Sequence, residues 1–224
     1  MSARAVFFDV GETLVDETRF WTIWARLLNV PPLTLFGVLG GVIERGEDHR
    51  RAYDIVAPGV DRAALEPAYA AAGGTQIRPD DFYPDALACL AEVKQRGWLL
   101  GISGNTATWV EDALRAADVP ADVVASSASW GVEKPSPDFF GRVVASAGLP
   151  PDRIAYVGDR LDNDVLPAAR AGMTGVFLKR GPWGHLHALR PEAATADLAL
   201  DSLDELCVRL ERRWATGAGG SGRA

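Results

Sequence analysis

Cysteine, histidine and methionine are all scarce in this chain, at two, three and two among 224 residues. Cys89 and Cys207 each fall inside an apolar helical pattern, so they read as buried free thiols rather than a disulfide, and the expected compartment is the reducing cytoplasm. His49, His185 and His187 give no Cys/His spacing suited to zinc. His185 and His187 alternate after Gly184, but with no third ligand in view they read as loop residues. A basic run is missing too. The formal net charge is −7, which argues against a nucleic acid or an anionic membrane as partner, because phosphates attract clustered Lys and Arg. The longest apolar stretch, LTLFGVLGGVI at 33–43, lies between Pro32 and Glu44 and falls short of the about 20 residues that span a bilayer. It reads as a core or interface helix. The chain enters a strand by about Ala5, which leaves no room for an export signal.

What the chain does have is apolar material, 48% of its residues, enough for a sizeable core. From residue 84 onward helical and strand patterns alternate. A helix after Pro84 is stopped by Gly97, WLLGIS follows as a strand, ATWVEDALRAA as a helix and DVVASS as a strand. Ser136-Pro137 opens a helix whose apolar stripe is Phe139, Phe140, Val143, Val144 and Ala147. RIAYVG and TGVFL are strands on either side of a helix ending at Ala171-Gly172, and Ser202 with Glu205 forms a capping box for the last helix. Such alternation implies an α/β fold, a Rossmann-like parallel sheet with helices on both faces. Residues 16–83 break the pattern. They are helix-like and hold Trp21, Trp24 and Tyr53, whereas 214–224 has the composition of a flexible tail.

Four stretches carry the chemistry: VFFDVGETL at 6–14, LLGISGN at 99–105, VEKPSPD at 132–138 and IAYVGDRLDND at 154–164. Asp9, Ser103 and Asp159 each fall at the carboxyl end of a strand pattern, where ligands of parallel sheets bind. A carboxylate straight after four apolar residues, as at Asp9, is costly unless paired or metal-bound. In order and setting these stretches resemble the haloacid dehalogenase (HAD) superfamily along nearly the whole chain. The resemblance implies a hydrolase core over 1–15 and 84–213 and a small helical cap over 16–83. It further implies that Asp9 is the nucleophile, that Asp9, Asp159, Asp164 and the backbone carbonyl of Gly11 hold Mg2+, and that Lys134 neutralises the phosphoryl oxygens. Ser103, with Gly104 and Asn105, would donate hydrogen bonds to the same oxygens. Asp162 and Asn163 are expected to point away.

The chain departs from the family at Gly11, where the related phosphatases carry a second Asp that protonates the leaving alcohol. Glu12, Asp16 and Glu17 are the nearby carboxylates able to replace it. Three functions follow. The leading one is a Mg2+-dependent phosphatase acting on a small phosphorylated metabolite through an aspartyl-phosphate. The second is a carbon–halogen hydrolase, against which Asp159 and Asp164 count. The third is a catalytically weak phosphate-binding or regulatory protein. The chain is expected to be a monomer or a homodimer.

Overall fold

The computed structural model describes residues 3–217. Six strands, β1 (Ala5–Phe8), β2 (Leu99–Gly104), β3 (Val123–Ser126), β4 (Ile154–Gly158), β5 (Thr174–Leu178) and β6 (Leu198–Leu200), form one parallel sheet in the order β3-β2-β1-β4-β5-β6. The α/β, Rossmann-like expectation is met. The chain moves outward from β1 through β2 to β3 and then crosses back to β4, so the strand order reverses beside β1. A crevice opens at that point beyond the carboxyl ends.

All four residues of β1 are buried, because the period of two sends neighbours into different layers. Val6 and Phe8 pack with Leu90, Val93, Leu206 and Leu210 on one face, while Ala5 and Phe7 pack with Phe139, Phe140, Val143 and Tyr156 on the other. The helix Pro137–Ala147 starts as expected. The Ser136 hydroxyl accepts from the Asp138 amide, and Gly148 ends the helix at φ 62°. Cys89 and Cys207 are buried and free.

Three details differ from the sequence reading. The three-residue strand β6 was not anticipated. The capping box at Ser202 and Glu205 does not close: the Ser202 hydroxyl accepts from the Asp204 amide at 3.1 Å and donates to Asp85 at 2.9 Å, while Glu205 pairs with Arg209 at 3.2 Å. Of the expected tail, residues 214–217 continue the last helix, Leu206–Gly217. Trp214 is buried edge-on against Trp98, their centroids 5.0 Å apart, because the ring gains more from the core than from water. Residues 218–224 lie outside the described residues.

Between β1 and the helix Ala86–Gln95 run four helices, Thr18–Leu27, Pro32–Glu44, Arg51–Val56 and Arg62–Ala71. They bury an apolar cluster of their own that includes Trp21, Leu35, Leu39, Val42, Ile43 and Tyr53. The apolar 33–43 stretch is thus a packed helix, and among the described residues no single helix is long and apolar enough to cross a membrane. Arg19 fastens the two ends of this insertion, giving Asp81 two hydrogen bonds of 2.7 and 2.6 Å and reaching the Gly73 and Gln76 carbonyls.

One short helix, Gly181–His187, touches both parts of the molecule. Its Trp183 and Leu186 complete the inserted cluster, and Arg190 just beyond it donates to the Ile43 carbonyl at 3.2 Å. On the sheet side, His187 is buried and its Nδ1 accepts from the Leu161 amide at 3.1 Å. His185 is exposed, so the two histidines do not form a metal pair.

Candidate active site

Asp9 follows β1 directly, and its amide donates to the Val157 carbonyl of β4 at 2.9 Å, which fixes the residue over the crevice. Lys134 reaches it from the loop before Ser136. Its ammonium lies 2.7 Å from Asp9 Oδ1 and 2.6 Å from Asp164 Oδ1, almost wholly buried. Burial alone would lower the lysine pKa, but Asp164 and Asp9 hold it well above its ordinary value. The ion is therefore a permanent positive charge.

Asp159 and Asp164 come from the turn after β4, where residues 161–165 form one wide helical turn. The Asp164 carboxylate accepts from the Arg160 amide at 3.1 Å. One oxygen each from Asp9, Asp159 and Asp164 lie within 4.8 Å of one another. Burial, then Asp164 and Asp9, push Asp159 well above its normal range, and its Oδ2 is buried with no hydrogen-bond partner. An orphaned carboxylate oxygen beside two other acids fits a hard divalent cation, and an all-oxygen donor set fits Mg2+ rather than zinc. Gly11, the fourth expected ligand, lines the same cavity.

Ser103 does not reach the cavity. It shares a sheet face with Gly101 and Phe7, is fully buried, and its hydroxyl has no hydrogen-bond partner. The next residue is the one aimed at Asp9: a Cβ on Gly104 would lie 2.5 Å from Asp9 Oδ1. Strand alternation explains the correction, since a shift of one position changes the face. Asn105 does line the cavity, and it also clamps Lys134, accepting from its amide at 2.7 Å and donating to its carbonyl at 2.8 Å.

The loop after Asp9 shows what replaces the missing side chain at Gly11. Glu12 adopts a left-handed φ of 53°, and both its carboxylate oxygens are engaged, by the Glu17 amide at 2.9 Å and the Tyr83 hydroxyl at 2.6 Å. Asp16 accepts from the Thr18 amide at 2.8 Å and does not line the cavity. Glu17 is different. A Cβ on Gly11 would sit 2.4 Å from Glu17 Oε1, so the Glu17 carboxyl fills the space that a side chain at position 11 would take. Trp21 Nε1 holds its other oxygen at 3.1 Å. Although Glu17 is half-buried as a residue, its carboxyl end is enclosed, and burial, then Glu12, push its pKa up to about 7.

These groups surround a cavity of about 280 Å³ roofed by Trp21, Asp48, His49 and Arg50 of the inserted helices. Asn163 is buried and lines it, contrary to expectation, whereas Asp162 turns outward to Arg160 at 3.0 Å. The wide turn at 161–165 alters the spacing on which that expectation rested. Thr106, Glu133, Arg160 and Trp183 also line it. Glu133 and Arg160 fall inside marked stretches without having been singled out there, and nothing in the sequence marked Thr106 or Trp183.

A family model described as haloacid dehalogenase-like hydrolase matches residues 3–172. A glyceraldehyde 3-phosphate phosphatase of Methanopyrus kandleri is 31% identical over 224 residues, 91% of this chain and 95% of its own length. Among solved structures, a HAD hydrolase of Bacillus subtilis bound to magnesium superimposes with a TM-score of 0.72 at 19% identity, covering 94% of this chain and 99% of that one. A 2-haloacid dehalogenase of Pseudomonas syringae superimposes with a TM-score of 0.62, also at 19% identity, covering 94% and 99%. At that identity the two structures share the fold, and the fold alone does not separate the chemistries. The motifs, the crevice and the matched span together place this chain among the haloacid dehalogenase-like hydrolases.

Proposed function

We propose that this chain is a Mg2+-dependent phosphatase of a small phosphorylated metabolite, working through an aspartyl-phosphate on Asp9. The observation that carries the reading is the Asp9, Lys134, Asp159 and Asp164 cluster, with one Asp159 oxygen buried and unpaired. A carbon–halogen hydrolase has no use for that oxygen. The relative named as a glyceraldehyde 3-phosphate phosphatase supports the same choice.

Asp9, Asp159, Asp164 and the Gly11 carbonyl would hold the Mg2+, which supplies charge neutralisation between the Asp9 carboxylate and the incoming phosphate dianion. Asp9 attacks phosphorus, the P–O bond to the alcohol breaks, and Lys134 compensates the charge on the phosphoryl oxygens. The leaving alkoxide takes its proton from Glu17 Oε1, which stands where a side chain at position 11 would deliver one. Water then cleaves the acyl phosphate, with the same carboxylate accepting its proton. The inserted helices act as the cap that closes this chemistry off from solvent.

Hydrolysis of an aryl phosphate, measured with Mg2+ and with chelator, tests the reading. Turnover should require Mg2+ and vanish in Asp9→Asn. Turnover of a haloacid without metal would establish the second chemistry instead, and binding of phosphate without turnover the third.

A further inference from the structure

The charges around the cavity are unequal. Six carboxylates line it, from Asp9, Glu12, Glu17, Asp48, Glu133 and Asp159, against the three cations Arg50, Lys134 and Arg160. Every one of those cations already has a carboxylate. Lys134 binds Asp9 and Asp164, Arg50 binds Asp48 at 3.1 Å, and Arg160 binds Asp162 at 3.0 Å with its guanidinium over the Trp183 ring. A phosphate is provided for by Lys134 and the metal ligands. With Asp9 and Asp159 given to the metal, Glu17 to the leaving-group proton and Asp48 to Arg50, a second anion on the substrate would find no unpaired cation and would face Glu12 and Glu133.

The roof offers a different kind of group. His49 stands edge-on between Trp21 and Trp183, with ring centroids 6.0 and 5.9 Å away. Burial pushes its pKa down to about 4, so the imidazole is neutral and presents one donor and one acceptor. Its Nδ1 lies 3.7 Å from Asp48 Oδ1, beyond hydrogen-bond reach. Trp21 is itself tied to Glu17, which keeps this wall of the slot in place.

Resting on the phosphatase reading, we propose that His49 is a specificity-determining residue, reading the end of the substrate remote from the phosphate, and that this end is an uncharged hydroxyl or carbonyl rather than a carboxylate. A neutral imidazole can give a hydrogen bond to a carbonyl, or give and accept with a hydroxyl. It brings no positive charge to offset a carboxylate, and the neighbouring Asp48 would oppose one.

Glyceraldehyde 3-phosphate and 3-phosphoglycerate differ only in the oxidation level of the far carbon, which makes them the probe pair. With Mg2+ present, kcat/KM of the wild type should favour the aldehyde by about tenfold or more. His49→Phe keeps a ring between the tryptophans but removes both nitrogens; it should raise KM for the aldehyde more than it lowers kcat, and it should narrow the preference. His49→Gln, which restores a donor and an acceptor, should recover part of the loss. Equal or better turnover of 3-phosphoglycerate by the wild type overturns the proposal, as does an unchanged KM in His49→Phe. If no phosphomonoester is turned over, aryl phosphates included, the phosphatase reading fails on its own. The His49 proposal is then decided by calorimetric binding of the same two compounds to the Mg2+-loaded Asp9→Asn protein, where equal affinity overturns it.

Discussion

Two backbone positions at the mouth of this site carry glycine, and the space above each is filled in a different way. A Cβ on Gly11 would meet Glu17 Oε1 at 2.4 Å, and a Cβ on Gly104 would meet Asp9 Oδ1 at 2.5 Å. The obstacle at Gly11 is the far end of a flexible side chain. At Gly104 it is Asp9, the proposed nucleophile, held by Lys134. On the proposed reading, the first glycine marks a carboxyl group supplied by another residue. On the same reading, the second marks room that the attacking carboxylate needs.

The largest effect should come from the moved carboxyl. Glu17→Gln keeps the shape but removes the proton, so alkyl phosphate hydrolysis should fall by about 10²–10⁴-fold, with aryl phosphates, whose leaving groups depart unaided, affected far less. Steady-state kinetics on one substrate of each kind decide it, and equal slowing of both would mean that Glu17 only shapes the loop.

Alanine placed at each glycine sharpens the contrast. Gly104→Ala should displace Asp9 and cost about 10²-fold on alkyl and aryl substrates alike, the penalty of a misplacement near 1 Å. Gly11→Ala should do less, and only to alkyl substrates, because the end of Glu17 can rotate away. Gly11→Asp pushes one carboxyl aside but brings another, so the alkyl-to-aryl ratio should stay within a few-fold of wild type. Matching losses in the two alanine variants would erase the distinction.

The smallest effect is on stability. Burial pushes Asp164 up to about 6 despite the opposing Lys134, and burial with the neighbouring Asp164 and Asp9 holds Asp159 well above its normal range. Groups whose pKa is raised on folding stabilise the protein while protonated. That contribution is whole below about pH 4 and is lost as pH climbs through about 6 and beyond. In chelator the melting temperature should therefore fall between about pH 5 and pH 8, and added Mg2+ should raise it most at the upper end, where the acids are ionised. Calorimetric scans at the two pH values check this, and Asp159→Asn should flatten the Mg2+ response.

How legible each part was follows from what its residues say locally. Asp9 and Asp159 stand out in sequence because a charge at the end of a buried strand needs a partner, Lys134 and Asp164 through the family resemblance, and the structure brings all four together. Ser103 misled because Gly101, Ser103 and Gly104 are all small, so nothing in that strand says which position turns to the rim. The sheet of alternating elements was readable from its long apolar runs, but β6 has only three residues, too few for a period to show. Glu17 stood in the sequence as one of three candidate carboxylates, and what singles it out was hidden, like His49 and Trp183, for another reason. Their roles arise from juxtaposition, a loop carboxyl over Gly11 and a histidine between rings from two parts of the chain, and no local pattern encodes it.

The short helix Gly181–His187 has a bearing on how such an enzyme can be recombined. An exchange of residues 16–83 for the equivalent segment of another hydrolase would leave Trp183 and Leu186 facing a foreign surface and Arg190 without the Ile43 carbonyl. Because His187 in the same helix holds the Leu161 amide, the mismatch would be felt at the turn that carries Asp164. A working chimera should therefore transfer residues 181–190 together with the insertion, two stretches remote in sequence that form one exchangeable part.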